Sequence, residues 1–90
     1  MNENIKEKFL DALDQCAVMK MGHQTVLYYN DSPEDEDVVL EIESVNNVIY
    51  KFSHKSINEV KIISNNFLLK SDCGEYITIQ IYKNVLGDFN

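Results

Sequence analysis

The sequence predicts an α+β fold, with one N-terminal amphipathic helix packed on an antiparallel β-meander of five or six strands. Three observations carry this expectation. Apolar residues recur at helical spacing through the first twenty positions. From Gln24 onward the period changes to two, and the alternating runs are broken by clusters of Asn, Asp, Ser, Pro and Gly. Ninety residues, 44% of them apolar, are enough for one modest core, so residues 1–90 read as a single acidic domain.

Asn4 followed by Glu7 reads as a helix N-cap with its capping-box partner. Ile5, Phe9, Ala12, Leu13, Cys16 and Met19 then share one face and Gly22 is a natural stop, which predicts one helix over residues 4–21. Glu3, Glu7, Asp11 and Asp14 form an acidic stripe on its outer side, diluted by Lys6 and Lys8.

Residues 24–30, rich in β-branched and aromatic side chains, read as a strand ending in the turn Asn30-Asp31-Ser32-Pro33. In the next strand Val38, Leu40 and Ile42 alternate with Val39, Glu41 and Glu43, and Asn46-Asn47 turns it into residues 48–53. Residues 54–59 read as a loop or a short helical turn. Residues 60–64 and 67–71 form a hairpin about Asn65-Asn66, and Ser71-Asp72-Cys73-Gly74 is a further turn. Residues 75–83 alternate strictly, with Ile77, Ile79 and Ile81 inward. Tyr76, Thr78, Gln80 and Tyr82 face outward, joined on the exposed sheet face by Tyr28 or Tyr50. Val85, Leu86 and Phe89 in the tail suffice to fold back on a sheet edge.

Charge is unevenly placed. Residues 31–43 hold seven acids and no base, while the other eight acids are matched by the eight lysines, so the whole net charge of −7 sits formally in thirteen residues. This balance argues against direct nucleic-acid or membrane binding, which needs clustered cations. The absence of arginine removes bidentate recognition of phosphate. No long apolar run or signal peptide is present, and Cys16 and Cys73 form no CxxC unit, so a cytoplasmic setting is expected. The Asn, Ile and Lys bias points to an AT-rich coding sequence, as in low-GC bacteria and their phages.

Catalytic and metal-binding patterns are lacking. No His or Cys pair has zinc-ligand spacing, and His23 and His54 read as surface residues. A Cys73–His54 nucleophile pair would depend on tertiary proximity. An EF-hand register starting at Asp31 puts Glu36 where glycine is needed and Ile42 where a bidentate Glu is needed. The three glycines are isolated, so there is no phosphate loop. The expectation is a non-enzymatic protein with no cofactor and no metal.

Three readings fit the acidic run. It is a solubilising loop, a docking surface for a basic protein, or a surface imitating the phosphate backbone. Glu41 and Glu43 would project about 6.6 Å apart from one strand face, close to the separation of neighbouring phosphates. A small, arginine-free acidic α+β domain resembles in style the phage-encoded inhibitors of host defence, anti-CRISPR proteins among them. The stretch Tyr29-Asn-Asp-Ser-Pro-Glu-Asp-Glu-Asp-Val-Val-Leu40 is loosely similar to an acidic loop and strand of the uracil-DNA glycosylase inhibitor family, over about a dozen residues. The expected function is inhibition of a basic nucleic-acid-binding host protein, such as a defence nuclease, in the bacterial cytoplasm. Partner contacts are expected at Glu34, Asp35, Glu36, Asp37, Glu41 and Glu43, with Tyr76 and Tyr82 as anchors. An immunity protein or antitoxin, or an assembly protein that self-associates as a homodimer, are the alternatives.

Overall fold

The computed structural model describes residues 4–83. The fold is α+β, with eight strands in two antiparallel sheets and a shared core. The single meander expected from sequence is thus divided.

Helix α1 spans Ile5–Asp14, and its N-cap Asn4 accepts the Glu7 amide through Oδ1 at 3.2 Å. Phe9, Ala12 and Leu13 bury its apolar face. The helix is shorter than the spacing predicts, because Cys16–Met21 is strand β1. Cys16 and Met19, three apart, share a helical face, and in the strand both pack on the core only because the register shifts between Cys16 and Val18. Pairing decides the matter, since β1 lies antiparallel beside Tyr76–Lys83 (β8), with Met19 opposite Ile81 and Met21 opposite Ile79. That ladder joins two apolar runs distant in sequence, and its burial outweighs local propensity. Gly22 does not stop a helix. It opens the two-residue turn between β1 and Gln24–Thr25 (β2) with φ 66°.

The rest of the predicted strand at residues 24–30 is β3, Tyr28–Asn30, which joins the other sheet. There β4 (Val38–Glu43) lies between β3 and β5 (Ile49–Ser53). The expected alternation holds on β4, where Val38, Leu40 and Ile42 are buried. The β4–β5 turn is organised by buried Ser44, whose Oγ accepts the Asn46 and Val48 amides, with Asn47 at φ 65°.

Ser53 caps α2 (His54–Asn58), a short helix in the segment expected to be a loop or helical turn. Lys61–Ile63 (β6) and Asn66–Lys70 (β7) form the expected hairpin, but the turn residues with positive φ are Ser64 and Asn65 rather than Asn65 and Asn66. The larger sheet runs β2-β1-β8-β7-β6.

Both sheets and both helices bury residues in one cluster: Phe9 and Leu13, Met19, Leu40 and Ile42, Phe52, Ile57, Leu69, Ile77 and Ile79. Phe9 meets Phe67 edge to face at 5.0 Å, an arrangement that aromatic quadrupoles favour, and fixes α1 on the larger sheet. Glu3 and the tail residues Val85, Leu86 and Phe89 lie outside the described residues.

Candidate functional site

The acidic run joins β3 to β4, and its backbone is tied at four points. Asn30 Oδ1 accepts the Ser32 amide at 3.0 Å, and Asp35 Oδ1 accepts the Asp37 amide at 2.9 Å. The Val38 amide donates to the Asp35 carbonyl at 3.1 Å. His54 Nε2 lies 3.0 Å from the Glu36 carbonyl. A carbonyl only accepts, so Nε2 carries the proton and His54 clips the loop to α2. Glu34, Asp35, Glu36 and Asp37 are exposed around this fixed backbone.

Glu41 and Glu43 continue the charge on the outer face of β4. Glu41 lies in register between Asn30 and Lys51, and Glu43 between Tyr28 and Ile49. Lys51 therefore offsets one of the seven acids, a neighbour that the linear charge count does not show. The six acidic residues named from sequence lie on this one sheet and its loop.

At the end of this sheet away from the acidic loop, beside Glu43, lie exposed apolar residues that sequence reasoning missed. Leu27 and Tyr28 are 58% and 57% exposed, Ile49 is 57% exposed, and Val45 and Val48 flank the β4–β5 turn. The Leu27 amide bonds to the Glu43 carbonyl, which brings Leu27 to the same end of the sheet. A signal was present, because Val45, Val48 and Ile49 crowd a turn where polar residues are usual. An apolar patch edged by charge is the ordinary composition of a protein-binding surface. Tyr28 belongs to this surface, whereas Tyr50 is half-buried against the core.

Tyr76 and Tyr82 are placed elsewhere. They project from the outer face of β8, 67% and 49% exposed, with Lys70 Nζ and Lys20 Nζ each 5.7 Å above their rings. No strand of the larger sheet contains an acid, and four lysines lie on them: Lys20, Lys61, Lys70 and Lys83. The eight residues expected at partner contacts thus lie on two sheets of opposite charge.

The titratable groups outside these faces have local roles. Tyr29 Oη reaches the Cys16 carbonyl at 3.5 Å. Hydrogen bonding with the Cys16 side chain, then burial, then the negative charges of Cys16 and Asp31 push the Tyr29 phenol up to about 12. Cys73 Sγ sits 2.9 Å from Ser71 Oγ in the turn that ends at Gly74. Glu7, Asp11 and Asp14 keep the expected stripe on α1, with Lys8 among them. Among the described residues, no group of three or more His, Cys, Asp or Glu could hold a metal ion, and no helix is long and apolar enough to cross a membrane. The chain matches no protein-family model and no curated protein.

Proposed function

We propose that this chain is a non-enzymatic inhibitor that docks its acidic sheet and loop onto a basic nucleic-acid-binding protein, in the place nucleic acid would occupy. The observation that carries this reading is the smaller sheet itself, from one end of which Glu34, Asp35, Glu36 and Asp37 extend, while towards the other Glu43, two residues beyond Glu41, lies between the exposed Tyr28 and Ile49. Carboxylates alone would steer an encounter but hold it weakly in salt. Apolar side chains on the same sheet supply the desolvated contacts that hold a complex together. The tied backbone also supports the reading, since a loop fixed before binding loses less entropy on docking. A defence nuclease in the cytoplasm of a bacterial host, inhibited by a phage or mobile-element product, is the partner class most consistent with this surface and the Asn, Ile and Lys bias of the sequence.

Affinity capture from a low-GC bacterial lysate tests the proposal. The natural chain runs in parallel with two variants, one with residues 34–37 changed to their amides and one with Tyr28→Ser and Ile49→Ser. The expected result is a basic nucleic-acid-binding protein held by the natural chain, lost by both variants and displaced by added duplex DNA. Retention of the same proteins by all three baits would return the acidic run to a solubilising role.

A further inference from the structure

We propose that the lysine–tyrosine face of the larger sheet is a docking surface for the acidic face of a second copy of this chain, arranged head to tail. The folded chain segregates charge strongly. All seven acids of residues 31–43 lie on the smaller sheet and its loop, while the five strands of the larger sheet hold lysines and no acid. Register places Lys20, Lys61, Lys70, Tyr76, Thr78 and Tyr82 on one outward face. Glu75, next to Tyr76, and Glu59 lie at its margin, Glu59 at the rim of a shallow recess of about 450 Å³ lined with Lys61, Leu68, Lys70 and Tyr76.

The two faces match in polarity as well as charge. Tyr76 and Tyr82 offer amphipathic anchors on the basic side, and Tyr28 and Ile49, on either side of Glu43, offer apolar area on the acidic side. Single-stranded nucleic acid would also suit lysines and aromatic rings. Three outward lysines on a chain of net charge −7 are few for that ligand, and each of the two rings already carries a lysine over one face. An acidic protein surface is the better fit, and this chain itself presents one.

Strand geometry sets the strength. Five strands about 4.8 Å apart, between two and eight residues long, give a face of roughly 400 Å². Stable interfaces bury about 800 Å² per partner, so the association is weak, with an expected Kd between micromolar and millimolar. Because the two faces differ, the contact is heterologous and leaves one free face of each kind at the ends of any chain of copies. The acidic face buried in this way is the one offered to a foreign partner, so copies and partner compete for it. The inference needs no foreign partner, and its failure leaves the capture experiment standing.

Sedimentation equilibrium across a concentration series tests it with three samples. The natural chain should rise well above 10.4 kDa in about 0.05 M salt and return to monomer in about 1 M salt, where the screening length is about 3 Å. A basic-face variant (Lys20→Gln, Lys61→Gln, Lys70→Gln) and an acidic-face variant (Glu34→Gln, Asp35→Asn, Glu36→Gln, Asp37→Asn, Glu41→Gln, Glu43→Gln) should each stay monomeric. Mixed one to one, they should form a dimer and grow no further, since each retains one working face. If the lysine variant loses its melting transition, Tyr76→Ser with Tyr82→Ser replaces it. A natural chain monomeric at low salt, growth by either variant alone, or a mixture that fails to pair overturns the proposal. So does binding of a thymidine oligonucleotide to the lysine face by a chain that does not self-associate.

Discussion

Val18→Ala and Met19→Ala, made one at a time, test whether residues 16–21 are strand β1 or the end of a longer helix. Met19 is 2% exposed and lies opposite Ile81 in the shared core. Truncating a buried methionine to alanine costs 2–5 kcal/mol, and about 3 suits a flexible side chain whose site can partly collapse. A chain of this length has roughly 5–13 kcal/mol of stability in all. At about 4–8 °C per kcal/mol, Met19→Ala should lower Tm by about 12–24 °C. Val18 is 42% exposed, opposite Tyr82, so its truncation removes only β-propensity and a modest cross-strand contact. Val18→Ala should therefore lower Tm by a few degrees. In a helix the same change would raise Tm, because alanine is the best helix former and β-branched valine a poorer one. Thermal melts followed by circular dichroism read both. A rise in Tm for Val18→Ala, or a Met19→Ala protein melting within about 3 °C of the natural one, would refute the strand and the ladder it forms with β8.

Further outcomes follow from the hydrogen bonds and the one displaced titration. His54→Ala removes the clip on the Glu36 carbonyl, so amide exchange at Asp37 and Val38 should speed up severalfold while Tm changes by only a few degrees; unchanged exchange would mean that the Asx turn at Asp35 suffices. Ser44→Ala strips the acceptor shared by the Asn46 and Val48 amides in a buried turn and should cost about 1–2 kcal/mol, read as a Tm drop of roughly 4–16 °C. Tyr29 should add a tyrosinate absorbance step at about pH 12 that Tyr29→Phe removes. Its folded-state pKa lies above the ordinary 10.0, so the stability linked to the protonated phenol is complete below pH 10 and is lost as pH rises through about 12.

The fold was legible where one local rule acted alone. Asn4 and Glu7 marked the start of α1, the alternation around Ile77 and Ile79 gave β8, and buried Val38, Leu40 and Ile42 marked the inner side of β4. Reading failed where two rules gave the same residues different roles. Cys16 and Met19 are three apart, a spacing that suits a helix and not an unbroken strand, and only the pairing of β1 with β8, with its register shift between Cys16 and Val18, overrides that local signal. The division into two sheets was hidden for a similar reason. Gln24-Thr25 and Tyr28–Asn30 look like one strand, yet Val26 bonds back to Met19 while Leu27 bonds to Glu43. The acidic part of the candidate site was visible as a charge run. Its apolar part was hinted at only by Val45, Val48 and Ile49 about one turn, because Tyr28 and Ile49 are remote in sequence and are brought to either side of Glu43 only by the register of β3, β4 and β5.

The pairing of β1 with β8 also fixes an order of events during synthesis. Met19 and Ile81 are about sixty positions apart, so β1 is finished long before the strand it needs has been made. The β3–β4–β5 meander and the β6–β7–β8 hairpins are each closed by short turns and can form as they emerge, whereas joining β1 to β8 requires the longest loop closure among the sheet contacts. Until then Met19, Met21 and the inner side of β8 stand open to other chains, the condition under which aggregation competes with folding. The larger sheet's central seam is thus the step at which crowded translation or a slowed ribosome would decide the yield of native protein.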